Sequence, residues 1–581
     1  MYDANTHSVH SIRLALAGAC AGLVLAVLVQ SAPSASVSGL VRDANGPVAS
    51  ATVRVKATAN ATTTDADGRF ALADLEPNKP VVLTAWAEGY YIGGGQTEYL
   101  PGASDVDIML SAHNDQDNAN YAWLSAFASA GYPGSGEDGN CEHCHADPND
   151  AQVSLPFDEW RGDAHALSAE NPRFLTMYTG TDTAGSQSSP TQYFQTRDYG
   201  RIPLRPDPNE SYFGPGYKLD FPETAGNCAA CHTPAAAIDA AYETDPTTVT
   251  GVGAEGAACD FCHKVWDVRL DPASGLPYPN MPGVLSFEFR RPPEGHQFFA
   301  GPLDDVAPGE DTYSPIQRQS QYCAPCHFGV FWDTVVYNSF GEWLHSPYSD
   351  PQTGRSCQDC HMPSGRTDHF ARFDKGGVLR DPTTIFSHRM PGAADEQLLQ
   401  NAVSMDVKAV REGERLAVTV TITNDQTGHH VPTDSPLRHL ILLVAATDGR
   451  GRRLKQLDGP VVPEWGGVGD PNQGFYAGLP GKAFAKVLEE HWTELSPSGA
   501  YWNPTRVLSD NRLAAFEVDT SSCVFAQTTE GEAIVDVTLL FRRAFIKLMA
   551  QKSWQSPDIV MEHERITIGG SPVPNAGLQE R

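Results

Sequence analysis

Apolar and polar residues alternate in two stretches of the chain and lose all rhythm between them. Near the start, Val37-Ser-Gly-Leu-Val41 and Ala51-Thr-Val-Arg-Val55 alternate with the period of half-buried strands. Val81 to Trp86 and Val106 to Leu110 read as further strands, with turns at Asp43-Ala-Asn-Gly46 and Thr64-Asp-Ala-Asp-Gly68. Short strands at this spacing predict a small β-sandwich over residues 37–111. Alternation returns at Leu416, Val418, Val420 and Ile422, and again at Ile441–Ala445 and Ile534–Leu540. A second β-sandwich is therefore expected over 396–569, with a long irregular insertion from Gly459 to Pro504 and a loose tail over 570–581. Between them, residues 112–395 show little helical periodicity, and Pro and Gly break most segments. Short helices joined by loops are expected there. The fold class is multidomain: an N-terminal β-sandwich, a mostly irregular short-helix middle and a C-terminal β-sandwich.

Ahead of these lies an uncharged run, Leu14 to Val29, preceded by Arg13 and followed by the small residues Ser31 to Ser36. A membrane span needs about 20 apolar residues, so this shorter run suits a signal-peptide core. A retained membrane anchor over 1–36 is the alternative, and no other run is long enough to span. Cys20 is a poor lipoprotein site, because Leu16 stands one place too far back.

Composition narrows the function. The chain has 581 residues and a formal charge of −30, which argues against a nucleic-acid partner. Such a charge suits solubility outside the cytoplasm and, secondarily, attraction of basic partners. The chain's 52 Gly and 43 Pro suggest many turns and long irregular connections, which suits the middle region.

That region instead carries five copies of Cys-x-x-Cys-His, which use ten of the twelve cysteines. They are Cys141, Cys144 and His145; Cys228, Cys231 and His232; Cys259, Cys262 and His263; Cys323, Cys326 and His327; and Cys357, Cys360 and His361. Two thiols at this spacing can add across the two vinyl groups of one haem, and the adjacent His then lies under the iron. Zinc ribbons need two Cys pairs per ion and no following His, and disulfides do not call for that His either. The sequence thus predicts five covalent haem c groups. Successive motifs start 87, 31, 64 and 34 residues apart, so they form no regular repeat. Each iron needs a sixth ligand, and 14 of the 19 histidines remain after the five proximal ones.

The segments Cys141…Trp160…His165-Ala166, Gly256…Cys259-Asp-Phe-Cys-His-Lys-Val265 and Cys323…Glu342-Trp343…Cys357-Gln-Asp-Cys-His-Met-Pro363 resemble the cytochrome c-554 group and its hydroxylamine-oxidoreductase-like relatives. That resemblance covers roughly 230 residues and implies close-packed haems passing electrons. It implies His165 as a distal ligand. His388 and His296 share a His-then-bulky-then-Gly pattern common at distal ligands of multihaem proteins. His429 and His430 end a predicted strand and could reach back to a haem. His345 and His369 compete for the last position, with Met362 and Met390 as weaker candidates. Cys523 reads as a buried, unreactive thiol. Residues 37–111 resemble the carboxypeptidase regulatory-like (transthyretin-like) domain through Gly39, Asp43, Gly46, Ala51, Thr64-Asp65…Asp67-Gly68…Phe70 and Gly89-Tyr90, which implies a non-catalytic spacer or adhesion module.

The leading reading is an exported electron carrier with mostly bis-His haems, working in the periplasm or at the cell surface with redox partner proteins, other multihaem cytochromes among them. No catalytic residue is assigned. The alternative is an oxidoreductase with one open haem acting on a small nitrogen or sulfur compound. Pentahaem nitrite reductases place Lys in the motif of the active haem, and His in all five motifs here disfavours that enzyme. A self-assembling surface or filament subunit is the third reading.

Overall fold

A computed structural model describes residues 35–130, 140–148, 153–307, 309–527 and 531–569. The N-terminal apolar run and the tail therefore lie outside the described residues. Strands dominate, and helices are short.

At the N-terminal end a four-stranded sheet, in the order Ala61–Thr63, Thr52–Val55, Val81–Trp86, Gly93–Tyr99, faces a three-stranded sheet in the order Arg69–Leu75, Ala35–Arg42, Val106–Met109. Alternation explains the core: Val37, Val41, Val53, Leu72, Leu83 and Ile108 all point inward and are at most 3% exposed. Gly39 is required by close approach, since a Cβ there would lie 2.0 Å from the Val106 carbonyl oxygen on the neighbouring strand.

This module is bolted to the middle region by charge as well as packing. Arg54 grips Asp304 with two hydrogen bonds of 2.7 and 2.9 Å. Asp305 accepts from the Ala57 backbone N–H at 2.6 Å and from Arg380 at 2.8 Å, with the Asp305 and Arg380 side chains both under 5% exposed. Trp86 donates to Thr312 Oγ1 and packs edge-on against Tyr313.

The middle region has helices of three to eight residues and two-stranded ladders, and among the described residues no sheet wider than two strands. Its apolar clusters are small. The largest contains Ala229, Ala230, Phe261, Val265, Phe287 and Phe289.

The C-terminal region is built differently. One sheet runs Ser404–Glu412, Arg415–Thr423, Val518–Ala526, Gln456–Asp458. The other runs Thr505–Asp510, Gly481–Glu490, His439–Asp448, Ala533–Arg542, Ile559–Ile568. Between them lies one large core containing Leu416, Val418, Val420, Ile422, Leu440, Phe484, Phe525 and Val537. Each such side chain contributes about 1.5–3 kcal/mol on burial.

The stretch from Gly459 to Pro504 corrects the sequence expectation of irregularity, because Gly481–Glu490 is an interior strand of the five-stranded sheet. Its lysines disguise it. Lys482 pairs with Asp519, and the buried Lys486 donates to the carbonyl of Val336 at 2.7 Å. Both faces of this strand are covered, so no alternation marks it.

Candidate metal centres

Four of the five motifs wind into a single helical turn: Cys141–His145, Ala229–His232, Cys259–Cys262 and Cys357–His361. The fourth sits at the end of a 3₁₀ turn, Ser320–Cys323. One turn places both thiols and the imidazole on the same side, which the three-point attachment of a porphyrin demands. Among the described residues the motif cysteines stand as free thiols. Cys144 lies within the first turn, half-buried, and its backbone carbonyl accepts the Arg372 N–H at 2.9 Å. That bond ties the first motif to the segment that carries Phe370. Glycine lets neighbouring chain press against these turns. Gly283, at φ +55°, leaves no room for a Cβ, which would meet the Ala230 carbonyl oxygen at 2.2 Å and Cys231 Sγ at 2.8 Å.

The motifs are mutually close. The thiol of Cys259 contacts that of Cys141, Cys231 contacts Cys326, and Cys323 contacts Cys357. Motifs one and three, two and four, and four and five are thus neighbours in space, although only the last of these pairs is adjacent in the sequence. Cys262 lies near enough to Cys323 and Cys326 to raise both, which joins the third motif to the fourth.

Histidine rings then pair across gaps. His263 faces His388 with ring centroids 6.4 Å apart and planes inclined by 23°. His361 faces His429 at 6.3 Å and 20°, and His165 faces His327 at 6.2 Å and 69°. These separations are too wide for stacking contact; by contrast, Phe174 lies flat on His232 at 3.7 Å and 1°. An iron held by both rings would fit this spacing: two iron–nitrogen bonds of about 2 Å each, with ring centres set back by about 1.2 Å, would leave the centroids about 6.4 Å apart.

The second ring nitrogen supports the same fit. Nδ1 of His145, His263 and His361 lies 2.7 Å from the carbonyl oxygens of Phe370, Ala300 and Pro391. His232 reaches Ser168 O at 3.2 Å, His388 reaches Phe386 O at 3.2 Å and His429 reaches His430 O at 2.9 Å. Each contact fixes the tautomer with Nδ1–H donating, so Nε2 is the nitrogen left to ligate. Two rings are held by carboxylates instead: His165 by Asp163 Oδ1 at 2.7 Å and His327 by Asp434 Oδ2 at 3.7 Å.

Burial pushes His232, His361 and His388 down to about 4, so they are neutral, as ligands must be. His327 is the exception. Burial acts to lower it, but Asp434, with Cys357 and Cys231, outweighs burial and raises it. Asp434 itself is held at about 2 against its own burial by His327, with Arg438 and Lys486 adding to the pull.

The other sequence candidates sit elsewhere. His296 turns Nδ1 to Glu310 Oε1 at 2.7 Å and, among the described residues, faces no proximal histidine ring. His430 lies 3.4 Å from Glu342 Oε1, which also binds Arg512 at 2.7 Å. His345 bonds to Gly341 O within its own helix, and His369 lies against Phe373. Among the described residues no histidine ring stands opposite His145 or His232 at the paired spacing. Sequence reasoning missed Asp434, Phe174 and Asp163. Only Asp163 carried a signal, standing two residues before His165, as an Asx turn onto the His165 N–H would require.

Residues 36–110 match the family model of the carboxypeptidase regulatory-like domain. This is the N-terminal two-sheet module, and the match agrees with the turn and glycine pattern read from its sequence. No curated protein matches the chain. Among solved structures the chain is similar to a penta-heme cytochrome c552 from Thermochromatium tepidum, with 19% identity and a TM-score of 0.48, covering 74% of this chain and 97% of that one. A second is the ASH/PapD-like domain of human CEP192, with 8% identity and a TM-score of 0.12, covering 29% of this chain and 84% of that one. Likeness this distant carries no functional conclusion.

Proposed function

We propose that this chain is a five-haem c-type cytochrome that carries electrons between closely spaced irons. The observation that carries the reading is the set of three imidazole pairs 6.2–6.4 Å apart, each pairing a motif histidine with a histidine from elsewhere in the chain. Bound iron porphyrin would supply the one-electron chemistry. The residues of the chain attach it through paired thiols, orient the axial rings through Nδ1 and shield them from water. Motif-to-motif thiol proximity supports short jumps between haems in the spatial order one, three, four, then two and five. The cytochrome c-554 resemblance favours the same role. Export follows from the covalent attachment chemistry and from the apolar run Leu14–Val29, acting as a cleaved signal or a retained anchor. Periplasm or cell surface is the proposed location, with redox proteins as partners.

The test is holoprotein matured by its own export machinery. Intact mass should exceed the polypeptide by five haems, and ferric spectra should be dominated by low-spin iron. Protein carrying no added mass and no Soret band would end the proposal.

One observation favours a second reading. Among the described residues neither His145 nor His232 has a histidine ring at the paired spacing, their ring neighbours being Phe370 and Phe174. The first and second haems are then the candidates for an open iron that acts on a small nitrogen or sulfur compound. A high-spin ferric signal that shifts on adding nitrite supports it, and uniformly low-spin iron rejects it.

A further inference from the structure

Three arginines converge where the middle region meets the C-terminal sheets. Arg173 comes from the helix Pro172–Thr179. Arg438 immediately precedes the strand His439–Asp448, and Arg543 immediately follows the strand Ala533–Arg542. Those two strands are antiparallel with His439 opposite Arg542, so the register brings Arg438 and Arg543 to the same sheet end. Burial, then the charge of the other two arginines, lowers Arg173 to about 10, and Arg543 is lowered by burial and by Arg438.

Their charge is poorly answered. Nη2 of Arg173 is buried without a hydrogen-bond partner, and its guanidinium lies 5.3 Å from the Trp554 ring centroid. Among the described residues neither Arg173 nor Arg543 forms an ion pair. Arg438 alone has a carboxylate, Asp434 at 3.8 Å, and Asp434 is shared with His327. Three guanidiniums against one carboxylate leave a local excess of about +2 in a chain whose formal charge is −30. Arginine cannot shed its proton to relieve this. A half-buried positive excess of this kind, with one guanidinium nitrogen shielded and unpartnered, calls for an anion.

The second motif lies next to it. Phe174, the neighbour of Arg173, covers the His232 ring. Tyr501 packs against the cluster of Met177, Leu437 and Ala544, which adjoins all three arginines in sequence or on their helix, and it hydrogen-bonds to Tyr337. Burial pushes Tyr501 up to about 12, so its hydroxyl stays protonated.

We propose that Arg173, Arg438 and Arg543 form an oxyanion-binding site beside the haem of Cys228 and Cys231. The ligand is a carboxylate or small inorganic oxyanion, supplied either by a propionate of that haem or from solution. The inference rests on the five-haem reading, and haem content is therefore measured first. The site joins the middle region to the C-terminal sandwich, which gives that sandwich a part in tuning or feeding one haem.

The test compares ferric holoprotein with its Arg173→Gln and Arg543→Gln variants, using nitrite and sulfate as calorimetric probes. Saturable binding of about one equivalent, weakened about tenfold or more in both variants, supports a dissolved oxyanion. Absence of binding together with a fall in the midpoint potential of one haem in both variants, reversed in Arg543→Lys, supports a propionate, because the lost arginine had offset a charge that favours ferric iron. Melting temperature checks that each variant folds, and Arg543→Lys retains the charge where the glutamine variant fails. Five haems with neither anion binding nor a shifted potential overturn the site. Protein lacking haem altogether defeats the reading beneath it instead.

Discussion

The C-terminal sheets and the middle region share one chain but solve different problems. The C-terminal sheets close around a continuous core that runs from Leu399 to Met561 and includes Leu416, Ile422, Leu440, Phe484 and Leu539, each at most 7% exposed. The middle region has only separate clusters, some as small as Ala324, Phe328 and Phe340. Its best-organised feature is a set of histidine rings held apart. A protein interior packs to near-crystalline density, and the C-terminal sheets reach it with their own side chains. On the proposed five-haem reading, the comparison teaches that the middle region would be a shell for flat, apolar groups, whereas the sheets would need none.

The sharpest way to break that comparison is to withhold haem. Chain produced without attachment machinery should lose the middle region to limited proteolysis while a fragment spanning the C-terminal sheets persists. Mass spectrometry of the surviving fragments checks this. A middle region equally resistant with and without haem would show that its own side chains suffice.

A smaller effect comes from single ligands. His388→Ala or His429→Ala should convert about one fifth of the total ferric iron from low-spin to high-spin, because each removes one ring from one of five sites. Magnetic resonance at low temperature reads this directly. The far-UV spectrum and the C-terminal core should not change. The same alteration at His563, which pairs with Asp536 on the surface of the C-terminal sheet, should leave every haem signal as it was.

What was legible in the sequence divides along the same line. Covalent attachment requires neighbours in sequence, so the five motifs were visible as strings. Ring pairing requires neighbours in space; local habit pointed to His165, His296, His388, His429 and His430, of which His165, His388 and His429 face motif histidines. Partners such as Asp434 and Phe174 had no signal, because each is delivered by a loop or helix remote from the histidine it supports. In the C-terminal sheets, alternation disclosed Arg415–Thr423 cleanly, since one face is buried and the other is not. It failed at Gly481–Glu490, where Lys482 and Lys486 stand among buried positions and find partners only in the folded chain.

The seam between the two regions offers the next effect in size. Lys552, fully buried on the C-terminal helix Ile546–Lys552, donates to the carbonyls of Thr176 and Thr181 at 2.9 Å each, and to that of Pro215. Lys552→Met removes the donor and leaves three buried acceptors. The expected cost is about 3 kcal/mol. It should appear in denaturant titration as weaker coupling between the loss of Soret dichroism and the loss of sheet signal. A fully coincident transition at unchanged midpoint would mean that the seam is held by packing around Trp554 and Phe545 alone.

The smallest effect separates two haem sites within the shell. Asp163, only 4% exposed at its side chain, holds Nδ1 of His165 at 2.7 Å, whereas Nδ1 of His388 meets a backbone carbonyl at 3.2 Å. A carboxylate partner makes the imidazole more basic and favours ferric iron. Asp163→Asn keeps the shape and a hydrogen bond but removes the charge, so the midpoint of the haem between His165 and His327 should rise by about 60 mV, a tenfold change for one electron. The ring orientation supplies an independent label for that haem. Its axial planes are inclined by 69°, against 23° and 20° at the other two pairs, so its ferric resonance should differ from theirs and identify which potential moves. A shift in one of the near-parallel sites instead would show that the charge of Asp163 acts across the shell rather than through the ring it touches.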